Sequence, residues 1–189
     1  RLIRTPNFKH VFSRLLVRVK PGSWIYLGDT GQYAELGSTR YEGRLAVSLA
    51  GDMEPFEIRT DERYRSKTKT VYTINLSENG DAEIIYSKTY RGIPFSGINK
   101  INSELTPENR RRRFREKIAR ISQSAQPLKP WKVNSQHYPA KETFSISVPR
   151  FAVRDGIRLY FTLPETIKNI YNTTEKHRVY PYMQQKNIN

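Results

Sequence analysis

Residues 71–77 and 82–90 alternate apolar and polar side chains on either side of Asn79-Gly80, a pattern that commits the chain to an antiparallel hairpin. In the first arm Tyr72, Ile74 and Leu76 share one face, the period of two that a half-buried strand needs. Both turn residues tolerate positive φ, so the spacing predicts a type I′ turn. The same alternation recurs in Leu15, Val17 and Val19, where Pro21-Gly22 turns the chain into residues 24–27, and again in Leu45, Val47 and Leu49. Later, Phe144, Ile146 and Val148 are followed by Arg154-Asp155-Gly156 and then Leu159, Phe161 and Leu163, which reads as a second hairpin-like pair. Residues 131–135 suit a short strand.

One helix interrupts this pattern. Thr106 is a natural N-cap, Pro107 suits the first helical position, and Glu108 places negative charge at the positive end of the dipole. Phe114, Ile118 and Ile121 then recur at helical spacing, which predicts a helix over 107–122. The expected fold is mainly β (α+β). Residues 66–185 form an antiparallel, sandwich-like domain whose single amphipathic helix covers a face or end, and residues 1–60 form a small sheet before it. The boundary is placed in the charge-dense, apolar-poor stretch over 52–69. Strands in runs with one helix argue against a parallel α/β sheet.

The chain has 189 residues, of which 37% are hydrophobic, enough to fill a core without a covalent staple. Its mean hydropathy of -0.72 reflects a charged surface, not low complexity. There is no cysteine, which removes disulfides, thiolate metal sites and a cysteine nucleophile from this chain. Lys and Arg outnumber Asp and Glu by 33 to 18, and the formal charge of +15 draws anions: nucleic acid, lipid headgroups or acidic glycans. No run of about 18 apolar residues is present, and the N-terminus lacks a secretory pattern, so neither a membrane span nor an export signal is expected here. Beginning at Arg1, the chain reads as a processed or truncated piece of something longer.

Cations crowd the predicted helix. Arg110, Arg111, Arg112, Arg113, Arg115, Lys117 and Arg120 occupy most of the circumference outside its apolar stripe and are the candidate anion-binding residues. The plainer reading is a solvated outer face above a stripe packed on a sheet. Like charges repel at helical spacing, and a purely structural helix would mix signs, so the excess points toward an anionic surface. Tyr86, Tyr90, Phe95, Trp131, Tyr138, Tyr160, Tyr171, Tyr180 and Tyr182 offer rings for stacking on bases or sugars, although tyrosine is equally at home in half-exposed strands. His10, His137 and His177 stand apart without ligand spacing, so no metal and no cofactor is expected. Glu83, Glu142 and Asp155 read as ordinary strand and turn positions.

The stretch from Phe12 to Gly43 carries a resemblance. Phe12-Ser13-Arg14, Leu27-Gly28-Asp29-Thr30, Tyr33-Ala34-Glu35-Leu36-Gly37 and Tyr41-Glu42-Gly43 resemble the C-terminal strands of a bacterial transglutaminase-like core. The remainder resembles the β-rich domain of unknown function that follows this core in bacterial envelope proteins. Its echoes are the run from Pro149 to Gly156, Leu159-Tyr160-Phe161, Leu163-Pro164 and the run from His177 to Pro181. Together these pieces span most of the chain. Transglutaminase-like enzymes pair a Cys nucleophile with a His base and an orienting Asp. The resemblance places the cysteine upstream of Arg1, Arg14 at the histidine position and Gly28 at the aspartate position, with Asp29 one place late. Arginine stays protonated and cannot serve as the base.

The resemblance therefore implies a non-catalytic accessory or interaction module of a periplasmic or cell-envelope protein, with no catalytic residues of its own. Its partners would be a missing upstream domain or another protein, together with an anionic surface. Two alternatives remain open: a basic protein that binds nucleic acid or acidic glycan, and part of an amide-cleaving or transamidating enzyme whose nucleophile lies upstream.

Overall fold

A computed structural model describes residues 14–20, 22–49 and 54–164. Within them the chain is mainly β with two helices, in agreement with the expected class. Its centre is a four-stranded antiparallel sheet in the order β5-β6-β8-β7, made of Lys67–Leu76 (β5), Ala82–Arg91 (β6), Gln126–Asn134 (β7) and Ala140–Val148 (β8). β5 and β6 pair without a break from Lys67↔Arg91 to Leu76↔Ala82, and β6 pairs β8 from Ala82↔Val148 to Tyr90↔Ala140. β7 is irregular, with register shifts between Pro127 and Lys129 and between Lys129 and Lys132. Proline removes a ladder donor, which confines such a strand to an edge. β7 begins before both prolines and is longer than the short strand expected over 131–135.

The β5–β6 hairpin is where the sequence puts it, but its turn is not type I′. Glu78, Asn79 and Gly80 form a three-residue loop closed by Ser77 N–H to Asp81 O at 2.9 Å and Gly80 N–H to Ser77 O at 3.0 Å. Only Gly80 takes positive φ, at 88°. Asn79 instead uses its side-chain oxygen to accept from the Asp81 N–H at 3.1 Å and the Ser77 hydroxyl at 2.7 Å. With those bonds Asn79 keeps a φ that is not positive, and the demand for positive φ falls on one residue.

Two helices cover one face of the sheet. α2, Pro107–Ala119, is the expected helix, with Thr106 accepting from the Asn109 N–H at 3.3 Å. It ends before residue 122 because Ile121 and Ser122 both donate to Ile118 O, tightening the last turn. α1, Ile93–Glu104, was not expected. Its Gly97, Asn99, Asn102 and Ser103 are weak helix formers and its N-cap, Gly92, supplies no side-chain bond, so local propensity gives no signal. Burial of Phe95 and Ile98 holds it in place. The main core joins Ala82, Ile84, Tyr86, Phe144, Ile146, Val148 and Trp131 of the sheet to Ile118, with Ile101, Leu105, Phe114 and Ile121 packed around them.

Before this domain lie two small hairpins: Val17–Val19 (β1) with Ile25–Leu27 (β2), and Leu45–Val47 (β3) with Pro55–Glu57 (β4). The Arg18 guanidinium lies between the Trp24 and Phe56 rings, 3.9 and 4.2 Å from their centroids. The loop between the hairpins is tied to α1 by Tyr33 OH donating to Glu104 at 2.9 Å and Asn99 Nδ2 donating to Tyr33 O at 3.1 Å. After β8, Ala152–Asp155 (β9) and Arg158–Phe161 (β10) form the hairpin predicted at Asp155-Gly156. The run of Phe144, Ile146 and Val148 takes no part in it, because β8 is committed to β6 and β7.

Gly80 and Gly156 separate two costs of substitution. Both have positive φ, but a Cβ on Gly80 would overlap the Ala152 carbonyl oxygen, whereas one on Gly156 meets nothing. Gly156→Ala should cost about 1 kcal/mol and Gly80→Ala at least about 2 kcal/mol in denaturant unfolding. Equal costs would show that the Gly80–Ala152 contact is not rigid.

Candidate functional site

Even-numbered residues of β8 face the helices. Ala140, Phe144, Ile146 and Val148 make that file apolar, and Glu142 stands in the middle of it with 0% exposure. A carboxylate there needs both oxygens satisfied. Oε1 accepts from Trp131 Nε1 of β7 at 2.6 Å and from Lys117 Nζ of α2, and Oε2 accepts from the Tyr90 hydroxyl of β6. One side chain therefore ties together an edge strand, the covering helix and the central pair of strands.

Aromatic rings enclose this cluster. Tyr86 stacks on Phe144 at 4.4 Å, and Phe114 meets Phe144 edge-on at 5.5 Å. The Lys117 ammonium lies 5.4 Å from the centroids of both Tyr86 and Trp131. Burial lowers the Lys117 pKa, opposed by the attraction of Glu142. Burial also raises the phenols of Tyr86 and Tyr90, and at Tyr90 the hydrogen bond to Glu142 is the next largest cause. The carboxylate is closed off from solvent with all its donors in place, an arrangement that suits a structural clamp more than proton transfer to a bound molecule.

Burial divides the helix cations that the sequence groups together. Arg110 and Lys117 face inward: Arg110 donates to the Asn102 backbone oxygen at 3.1 Å and to its side-chain oxygen at 2.8 Å, with its guanidinium 5.6 Å from the Trp131 ring. Arg111, Arg112, Arg113, Arg115 and Arg120 are exposed. Arg112 reaches Glu116 at 3.7 Å across an exposed i,i+4 pair, and Glu108 shares the outer surface, so the signs there are more mixed than the run of arginines suggests. The proposed stacking rings are mostly unavailable. Tyr86, Phe95 and Trp131 are core residues, Tyr90 and Tyr138 are half-buried, Tyr160 is exposed, and Tyr171, Tyr180 and Tyr182 lie outside the described residues.

At the resembling positions Arg14 is exposed and Gly28 is exposed with φ 102°. Asp29 is engaged by its own loop, its Oδ2 accepting from Thr39 Oγ1 at 2.6 Å and Arg40 N at 2.7 Å. His137 is exposed; His10 and His177 lie outside the described residues. Among the described residues no group of His, Asp and Glu is arranged to hold a metal ion. A shallow depression of about 370 Å³ lies between Asn75, Asp81, Glu83, Leu128 and Ser147. Asp81 lines it but is occupied, accepting from Arg150 N at 2.7 Å and Asn79 Nδ2 at 2.9 Å.

The sequence carried one unused signal for the Glu142 cluster. Extending the parity of Phe144, Ile146 and Val148 back by two residues places Glu142 on the buried face. Lys117, one turn from both Phe114 and Ile121, borders the apolar stripe of α2 and is the natural cation to reach it.

The two buried phenols fix a pH dependence. An unfolded tyrosine ionises near pH 10, whereas Tyr86 and Tyr90 hold their protons beyond it, so their contribution is complete below about pH 10 and is lost as pH rises. Lys117 has the opposite sign: its folded pKa lies below 10.5, so between the two values its contribution rises with pH. The thermal midpoint should fall from about pH 10 upward, and Tyr90→Phe should shrink the fall. A midpoint unchanged to about pH 11 would contradict this. Comparisons with protein-family profiles, curated proteins and solved structures find no match to this chain.

Proposed function

We propose that the chain is a non-catalytic accessory or interaction module of a transglutaminase-like cell-envelope protein, and that its N-terminal hairpins complete a larger core. The observation that carries this reading is a contrast in burial. The β5–β8 sheet hides its apolar file, with Ile84, Ile146 and Val148 at 0% exposure. The N-terminal section leaves large apolar side chains in solvent, including Leu15 at 73%, Leu36 at 62%, Leu45 at 75% and Leu49 at 75%. Strands cut from a larger catalytic core would leave such side chains open. The occupant is the remainder of that core.

Loss of catalysis in this portion rests on chemistry. Arg14 stands where a base is needed and cannot accept a proton near neutral pH, and Gly28 has no carboxylate with which to orient an imidazole. Asp29, one place away, has its Oδ2 committed to Thr39 and Arg40 and its Oδ1 buried. The charge of +15 directs the module toward anionic surroundings.

Reading the coding frame upstream of Arg1 tests the ancestry: it should encode the rest of a transglutaminase-like core, and an unrelated segment or an immediate start codon would sink it. The full-length protein should not incorporate a fluorescent amine into a glutamine-bearing protein above the buffer rate. Turnover by that protein would restore the catalytic reading.

A further inference from the structure

The sheet has a second face, away from α1 and α2, and its composition differs from that of the covered one. Register places its side chains in rows across the strands. Lys67 is opposite Arg91; Lys69, Thr89, Lys141 and Asn134 form the next row; Val71, Ser87, Thr143 and Lys132 follow; then Thr73, Ile85, Ser145 and Lys129. Lys67, Lys69, Arg91, Lys129, Lys132 and Lys141 are all exposed, and none makes an ion pair among the described residues. The one carboxylate of these strands on this face is Glu83, in the row beyond, about 20 Å from Lys69 along the strands. Between the cations runs a file of hydroxyls: Thr89, Ser87, Thr143, Ser145 and Ser147. Ser145, at 2% exposure, lies beneath this surface, so the accessible hydroxyls are those of Thr89, Ser87, Thr143 and Ser147.

We propose that this face binds an acidic polysaccharide, a polymer whose carboxylates lie against the lysines while its hydroxyls bond along the central Ser and Thr file. Charge complementarity requires a polyanion, and the surface chemistry selects among polyanions. Single-stranded nucleic acid is held by bases stacked on aromatic rings, and these rows contain none. Insertion into a bilayer interface needs projecting apolar groups, whereas Val71 and Ile85 are each only 43% exposed among hydroxyls. Neighbouring strands are about 4.8 Å apart and alternate residues along one strand about 6.8 Å, so the cations form a graded plane suited to an extended chain. This names the face and chemical class of the anionic partner without resting on the transglutaminase-like ancestry.

Polygalacturonate, a 20-residue oligo-dT and vesicles containing phosphatidylserine are the probes, each titrated into the purified chain over a salt series. Polygalacturonate should bind most tightly, with affinity falling as salt rises. Lys69→Glu combined with Lys141→Glu should weaken it about tenfold or more, and Arg111→Glu with Arg115→Glu on α2 by less than about twofold. The neutral pair Lys67→Gln with Lys132→Gln should weaken it in the same direction, and unchanged thermal midpoints show that each variant folds. Tighter binding to oligo-dT or to vesicles, an equal or greater loss from the α2 pair, or no binding to polygalacturonate at low salt would each overturn the proposal. A failure here leaves the upstream reading frame to decide the ancestry by itself.

Discussion

The described fold turns on a carboxylate that has no access to water. Glu142 sits in an otherwise apolar file, and burying a charge there costs several kcal/mol unless its partners are complete. The partners come from three elements: Lys117 from α2, Trp131 from β7 and Tyr90 from β6. Each is needed for a further reason. α2 carries little apolar surface beyond Phe114, Ile118 and Ile121, and β7 is an edge strand weakened by two prolines and two register shifts. Directional bonds to one buried acceptor fix the rotation of the helix and the position of the edge where packing alone would leave several close alternatives.

The two surfaces of the sheet differ in composition. The covered face is apolar around Ile84, Tyr86, Phe144, Ile146 and Val148, with Lys88, Thr68 and Thr70 toward the Glu142 end, and the other face is rich in cations and hydroxyls around Val71 and Ile85. The N-terminal hairpins follow a different rule. They use cation–π contacts at Arg18, and the loop between them bonds α1 through Tyr33, whose hydroxyl donates to Glu104 and whose carbonyl accepts from Asn99; their leucines face solvent. This section buries Tyr26 and Ile58 but leaves Leu15, Leu36, Leu45 and Leu49 exposed. The central domain completes its own core.

What the sequence disclosed depended on how local each cause is. The hairpin at Asn79-Gly80 and the capping of α2 at Thr106 are set by neighbouring residues, and both are legible. The turn type was missed because Asn79 spends its side chain on Asp81 and Ser77, a detail the dipeptide does not encode. α1 was missed because its residues are indifferent to helix and only burial of Phe95 and Ile98 selects it. The cations of α2 look equivalent in sequence, yet Arg110 and Lys117 have inward partners at Asn102 and Glu142, distant in the chain or in another element. The basic plane of the sheet was invisible because its cations, five lysines and Arg91, come from four strands and converge only once the register is known.

A double-mutant cycle on Glu142 and Lys117 tests the clamp most directly. Glu142→Leu, Lys117→Met and the combined variant would be unfolded in denaturant at neutral pH. The single variants should each cost about 3 kcal/mol, since each strands a buried group, and the coupling between them should be at least about 2 kcal/mol. Additive costs, with coupling near zero, would mean that the ion pair does not organise the fold.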